Sequence, residues 1–394
     1  MQGKDVYVVD AVRTRIGKFG GALSAVRPDD LGATVIRSLL ERVPNLDPAS
    51  VDEVQFGAAN QSGEDNRNVA RMSSLLAGLP TSVPGVTINR LCASGLDAVI
   101  FASRAIAVGD ASVVIAGGVE SMTRAPWVLQ KPARGFPAAN MELHSTTLGW
   151  RMVNPEMPSE WTVGLGESAE ILGEKYGICR EQADEYSVAS HQKAAAAWAA
   201  GSFDPSVVSV RGAVLERDEG IRDNTTMETL GRLKPVFRND GTVTAGNASQ
   251  ISDGAAALLL CDEDAVRKLG VEPLARIVSS GVDAVDPQLF GIGPVEAVRR
   301  ALVKAGKTER DIDIMELNEA FASQSLACLS EWKALDPGVV NMLGGAIAMG
   351  HPLGCSGARL AGSLAHQLAQ RGHGFGVASL CVGVGQGVAL TMER

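Results

Sequence analysis

Short β-branched runs and longer amphipathic runs alternate along the chain. Val6-Tyr7-Val8-Val9 is an apolar run of strand length, and residues 29–43 carry apolar positions at helical spacing, with Asp29 expected as the cap after Pro28. Further strands are expected at 51–56, 83–88 and 112–117, and further helices at 68–78 and 93–108. This alternation predicts a parallel or mixed sheet covered by helices. From Ser121 the pattern degrades: Pro126, Pro132, Pro137, Pro155 and Pro158 fall among Gly, Trp and Met residues, ahead of helix-like stretches at 168–176 and 180–200. The region to about Ala245 reads as a long insertion, and such insertions in compact folds are usually functional.

Strand character returns at 255–261, and after Gly270 the pattern repeats. Strands are expected at 276–280, 312–317, 339–340, 375–380 and 388–392, with helices at 294–305, 319–329 and 355–371. Cys92-Ala93-Ser94-Gly95, a helix and then Val113 to Gly118 match in order Cys355-Ser356-Gly357, a helix and then Gly376 to Cys381. The expected organisation is therefore two similar halves, residues 1–120 with 246–270 and residues 271–394, with an inserted loop domain at 121–245.

Length and composition narrow the class. A chain of 394 residues exceeds one compact core, and 45% hydrophobic with 21% charged residues describes an ordinary globular protein. Gly is abundant at 44 while aromatics are 4%, which favours backbone packed on backbone. A net charge of −9 argues against nucleic acid as a partner, and no run of about twenty apolar residues suggests a membrane span. The first residues enter a strand-like run without the regions of a signal peptide, and the final Thr-Met-Glu-Arg carries no lipidation address. Six scattered cysteines without a CxxC pair predict reduced thiols in the cytoplasm, and five histidines without metal spacing predict no metal site.

Candidate chemistry centres on Cys92, at the junction between an expected strand and an expected helix. Unpaired N–H groups at a helix start favour thiolate, so a lowered pKa and a nucleophilic sulfur are expected there; for a cysteine by itself, a buried packing role is the commoner outcome. Partners lie far along the chain. His351 sits in Gly344-Gly345-Ala346-Ile347-Ala348-Met349-Gly350-His351-Pro352-Leu353-Gly354, where it is either a solvated loop residue, a base for Cys92 or a donor to a carbonyl oxygen. Cys381 ends a strand before Gly383, Gly385 and Gly387, either as a second acid/base or as a buried thiol. Asn318 of Asn318-Glu319-Ala320-Phe321 is either a helix N-cap or an amide that orients water or substrate.

Asn-Arg-Leu-Cys-x-Ser-Gly around Cys92, Asn-Glu-Ala-Phe from Asn318, Gly-His-Pro-x-Gly-x-Ser-Gly from Gly350 and Cys-x-Gly-x-Gly-x-Gly from Cys381 together resemble the thiolases, in order along nearly the whole chain. The resemblance implies an α/β thiolase fold: two βαβαβαββ halves in a five-layer αβαβα arrangement with an inserted loop domain. It implies an acyltransferase that works by ping-pong thiolysis of a 3-ketoacyl-CoA, or by the reverse Claisen condensation, with CoA thioesters as substrates and no separate cofactor. Cys92 would carry the acyl group, His351 would activate it and Cys381 would move the α-carbon proton. Asn318 would hold a water that forms one oxyanion hole with His351, and the N–H groups of Cys92 and Gly383 would form the other. Ala248, Ser249 and Phe321 would line the substrate and pantetheine path, and Arg222 with Thr229 would hold the adenine nucleotide. For Arg222 a plain surface charge is the alternative. Homodimers or homotetramers are implied.

Two departures from the family pattern bear on the acyl site. Ala93 replaces the usual Gly and is expected to tighten the acyl pocket, and Val163-Gly164-Leu165-Gly166-Glu167-Ser168 replaces Met-Gly-x-Thr-Ala-Glu. Within the family, residues 149–155 and 383–387 are most similar to members that cleave 3-oxoadipyl-CoA, where Arg151 either meets a distal carboxylate or sits on the surface. A ketoacyl-synthase-type enzyme would want a second histidine where Cys381 stands. A non-catalytic acyl-lipid or CoA-binding protein on the same fold would be expected to lack Cys92, His351 or Cys381.

Overall fold

The computed structural model describes residues 3–394. Its first half runs β1 (Val6–Thr14), α1 (Pro28–Arg42), β2 (Glu53–Gly57), α2 (Val69–Ala77), β3 (Gly85–Ile88), α3 (Ser94–Val108) and β4 (Val113–Ser121). The insertion contributes α4 (Leu165–Tyr176) and α5 (Arg180–Ala199), after which β5 (Ser252–Asp262) returns to the sheet. The second half runs β6 (Ala275–Ala284), α6 (Gly293–Ala305), β7 (Ile314–Leu317), α7 (Ala322–Glu331), α8 (Leu353–Arg371), β8 (Phe375–Val382) and β9 (Gln386–Glu393).

Strand order exposes the internal repeat. The sheet reads β7-β8-β9-β6-β1-β5-β4-β2-β3, so each half carries its strands in the same order outward from a central seam. At that seam β1 and β6 pair antiparallel over three positions, with Val6 opposite Ile277. The second half's counterpart of β3 is reduced to a single bridge between Met315 and Val340, where a strand at 339–340 was expected.

Three apolar clusters give the layering. The central one joins α3 (Leu96, Ile100) and α8 (Leu360, Leu364) to strands of both halves, including Val114, Leu258, Leu380 and Leu390. A second packs α1 and α2 (Leu31, Ile36, Ala70) on the outer face of the first half, and a third packs α6 and α7 (Val298, Leu302, Cys328) on the outer face of the second. Helix, sheet, helix pair, sheet, helix is the result. An inner helix must be apolar on every side. Leu91–Val108 accordingly has a mean hydropathy of 1.6, long and apolar enough for a membrane, yet it lies between two half-sheets.

Some ends differ from the periodicity, and capping explains them. Asp29 is not a cap: Arg27 precedes the helix, Pro28 fills its first position, and the Asp29 carboxylate accepts from Arg27 Nε at 2.9 Å. Asn318 is no cap either, because α7 starts only at Ala322 after an extended Phe321. That leaves the Asn318 side chain available for other work.

Candidate active site

The nucleophile turn is built by local hydrogen bonds. Leu91 takes φ +46°, an uncommon state for a residue with a Cβ, and Cys92 follows in a single 3-10 turn before α3. Asn89 Oδ1 accepts from Leu91 N–H at 2.9 Å, while Ser94 Oγ accepts from Arg90 N–H at 2.9 Å and donates to Leu91 O at 2.7 Å. The Arg90 guanidinium is paired with Asp97 and donates to Gln386 Oε1 at 2.7 Å, fixing the turn to β9.

Glycines bring the two inner helices into backbone contact at their N-termini. A Cβ on Gly95 or on Gly118 would collide with the Gly354 carbonyl, and one on Gly357 would collide with the Leu96 amide. Hydrogen in place of those methyl groups lets the α3 turn bearing Cys92 meet the α8 segment bearing His351. Leu353, two residues past His351, lines the same cavity as Cys92.

Cys92 is 6% exposed, and burial pushes its thiol up to about 11, against the lowering by the N–H groups of Gly383 and of Cys92 itself. This corrects the sequence expectation of a resting thiolate. A helix start contributes about 2 kcal/mol at most, whereas full burial shifts a group by about 3–5 pKa units. Burial wins, and the sulfur carries its proton until a base removes it.

His351 is 5% exposed rather than solvated, and burial, with Arg359 second, pulls its imidazole down to about 3. It is therefore neutral and available as a base. Its Nδ1 lies 2.6 Å from Ser356 Oγ and its Nε2 3.4 Å from Asn318 Nδ2. Asn318 is fully buried at the end of β7, and its Oδ1 has no hydrogen-bond partner among the described residues. A buried polar atom of that kind calls for a water or a ligand.

Cys381 is fully buried on β8, its thiol raised well above the usual value by burial and then by the neighbouring Cys92. Two residues later the Gly383 N–H reaches the Cys92 sulfur. Thus Cys92, Gly383 and Cys381 converge.

The insertion is stitched onto this centre. Ser249 N–H donates to Ala320 O and Ala322 N–H to Asn247 O, both at 2.9 Å, while Ala248 bridges Phe321. Phe321 and Ala248 pack in one cluster with Cys381. Arg222 and Thr229 are exposed and line no part of the Cys92 cavity. The Arg222 N–H donates to His191 Nδ1 at 3.2 Å, and the Thr229 hydroxyl is used to cap its own short helix.

A cavity of about 370 Å³ opens at Cys92 and Gly383, walled by Leu148, Trp150, Arg151 and Leu165. Arg151 is half-buried there rather than free on the surface. Ala93 is fully buried in the central core and is not in the cavity wall, so its methyl does not tighten the acyl pocket.

Sequence reasoning missed Glu120, Ser356 and Glu319. Glu319 accepts from Ser190 Oγ at 2.6 Å, Asn341 Nδ2 at 3.0 Å and Ile347 N–H at 3.1 Å, tying α5 to the turn before His351. For the two glutamates the available signal was a carboxylate inside or just after an otherwise apolar strand, where burial demands partners.

Comparison with known proteins agrees with this arrangement. Residues 6–264 match the thiolase N-terminal domain and residues 271–394 the thiolase C-terminal domain. The chain is 53% identical over 399 residues to a β-ketoadipyl-CoA thiolase of Pseudomonas putida, covering 99% of this chain and 100% of that one. It is 50% identical over 400 residues to a 3-oxoadipyl-CoA/3-oxo-5,6-dehydrosuberyl-CoA thiolase of Escherichia coli K12, with 99% and 100% covered. The Bacillus anthracis acetyl-CoA acetyltransferase superposes with a TM-score of 0.93 at 42% identity, over 100% of this chain and 99% of that one. Human mitochondrial 3-ketoacyl-CoA thiolase in complex with CoA gives 0.93 at 40% identity, over 99% and 98%. With both halves matched and the whole length covered, the chain belongs to the thiolase family and is an acyltransferase acting on CoA thioesters.

Proposed function

We propose that the chain cleaves 3-oxoadipyl-CoA with CoA, giving acetyl-CoA and succinyl-CoA. The observation that carries this reading is Arg151 in the wall of the cavity that opens on Cys92. An acyl chain attached to that sulfur runs along the cavity, and a guanidinium beside it matches a carboxylate at the chain's far end. The relatives named for β-ketoadipyl-CoA and 3-oxoadipyl-CoA support the same choice.

The chemistry follows from the resting protonation states. Cys92 gives its proton to the neutral His351 as its sulfur attacks the C3 carbonyl of the substrate. Negative charge grows on that oxygen. Asn318, through a water, forms one oxyanion site with His351, and the N–H groups of Cys92 and Gly383 form the other, each donor worth about 3 kcal/mol. The C2–C3 bond breaks, succinate stays on sulfur as a thioester, and the departing C2 carbanion of acetyl-CoA takes a proton from Cys381. The thiol of incoming CoA gives its proton to the Cys381 thiolate as its sulfur attacks the acyl-enzyme carbonyl. The carbon–sulfur bond to Cys92 then breaks, succinyl-CoA leaves, and the Cys92 sulfur takes back the proton held by His351.

CoA lies along Ala248, Ser249 and Phe321 towards Arg222 and Thr229 in this reading, and the inserted residues 121–245 serve as its binding domain between the two halves, 1–120 with 246–270 and 271–394. The protein works in the cytoplasm as a homodimer or homotetramer. Thiolysis rates for 3-oxoadipyl-CoA, 3-oxohexanoyl-CoA and acetoacetyl-CoA test the substrate assignment. The carboxylated substrate is expected to have the highest kcat/KM, and a preference for the uncharged six-carbon chain overturns it.

A further inference from the structure

Glu120 lies in β4 with 2% exposure and lines the Cys92 cavity. Its carboxylate accepts from Ala59 N–H at 2.9 Å, Asn60 N–H at 3.0 Å and Gly354 N–H at 2.8 Å. Ala59 and Asn60 follow the end of β2, whereas Gly354 belongs to the first turn of α8, three residues beyond His351. The contact is close on every side: a Cβ on Gly354 would stand 2.6 Å from Val119 O and 2.7 Å from Gly57 O. One carboxylate therefore joins the strand ends beneath the cavity to the segment that carries the imidazole.

We infer that Glu120 is a positioning residue of this active site: its carboxylate pins the first turn of α8, and His351 with it, to the wall of the cavity that holds Cys92. Three donors on two segments require an acceptor with lone pairs on both oxygens, which Glu has and Gln lacks. In Glu120→Gln the volume is kept, but an NH2 group faces at least one of the three N–H groups, and that contact turns repulsive. The carboxylate also acts through its charge. It raises the Cys92 thiol, and burial in turn raises Glu120 to about 7, with Asp65 adding to the shift. The other titratable or charged groups facing the pair are Cys381 on β8, which burial and then Cys92 raise, Cys355 in the first turn of α8, which burial and then Glu120 raise, and Arg151 in the cavity wall.

Glu120→Gln and Glu120→Asp test this by thiolysis kinetics, iodoacetamide alkylation of Cys92 against pH, and amide exchange at Gly354. For Glu120→Gln, kcat is expected to fall about a hundredfold while KM for CoA stays within about twofold, because a misplaced base costs rate rather than binding. Its alkylation midpoint is expected to move down, since a like charge near the thiolate is gone. Gly354 exchanges faster, and Glu120→Asp, which keeps both acceptor oxygens, recovers part of kcat. A merely structural role lowers the melting temperature without moving the alkylation midpoint. A folded Glu120→Gln with wild-type kcat, or with an unmoved midpoint, overturns the inference. Should Glu120→Gln fail to fold, Glu120→Asp decides: intermediate kcat supports it, and wild-type kcat with an unprotected Gly354 amide overturns it.

Discussion

His351 Nδ1 lies 2.6 Å from Ser356 Oγ, and that same hydroxyl donates to Pro352 O at 3.0 Å. A hydroxyl has one proton. When that proton goes to Pro352, Nδ1 is the donor to Ser356, and Nε2 presents its lone pair towards Asn318 Nδ2. Nε2 is thereby the ring nitrogen able to take up a proton. Ser356→Ala removes this constraint and leaves a buried N–H unpaired. It is expected to lower kcat about tenfold or more with KM for CoA little changed, and to cost about 1–3 kcal/mol of stability. Steady-state kinetics with urea unfolding checks both, and an unchanged kcat would refute the tautomer argument.

Cys92 and Cys381 are both buried thiols, yet only Cys92 has a backbone N–H from another segment aimed at its sulfur. Cys92→Ala is expected to carry no acetyl group after mixing with acetyl-CoA. Cys381→Ala is expected to acetylate on Cys92 but to lose condensation and thiolysis by about a thousandfold, the range of a general acid/base. Intact-protein mass spectrometry beside a turnover assay separates the two roles. Normal turnover in Cys381→Ala would be fatal to the proton-transfer assignment.

Arg151 is tested by a difference between substrates. Arg151→Met keeps much of the side chain's apolar length and removes the charge. The loss of a partly desolvated ion pair of about 1.5–3 kcal/mol corresponds to roughly a ten- to hundredfold fall in kcat/KM for 3-oxoadipyl-CoA. 3-Oxohexanoyl-CoA, which ends in a methyl group, should change by less than about threefold. Equal losses on both substrates would show that Arg151 shapes the cavity rather than reading a carboxylate.

Much of this architecture was legible because its causes are local. Strand and helix periodicity gave the repeated halves, and the glycines around His351 signalled backbone in close approach, which Gly354 and Gly357 bear out. What stayed hidden depends on contacts distant in sequence. The hydrogen bonds of Glu120 reach 61, 60 and 234 residues away, so no spacing rule could find them. The direction of the Cys92 shift was misread for a related reason: a helix start is visible in sequence, whereas burial by residues remote along the chain is not. Gly118→Ala measures the close approach directly. Its new methyl would press on the Gly354 carbonyl, and a loss of about 2–3 kcal/mol is expected from urea unfolding, with reduced kcat as α8 is displaced.

His191 offers a pH test away from the reacting atoms. It is 4% exposed, its Nδ1 accepts the Arg222 N–H at 3.2 Å, and burial, with Arg222 second, lowers its pKa to about 4. In the unfolded chain it titrates near its ordinary 6.5. Above that value both states are neutral and the residue adds no pH dependence. As pH falls below it, the unfolded state binds the proton first, so stability is lost progressively down to about 4. Between pH 7 and 5 the loss amounts to about 2 kcal/mol. Glu120, raised to about 7, and Asp65, raised to about 6, work in the opposite direction over the same range. Total stability therefore hides the histidine, and only a difference isolates it. His191→Gln keeps a hydrogen-bonding side chain without the titration. Its unfolding free energy is expected to fall less than that of the wild type from pH 7 to 5, by about that 2 kcal/mol. Parallel curves for the two proteins would mean that His191 is protonated as readily in the fold as outside it, and that its bond to Arg222 does not hold in solution.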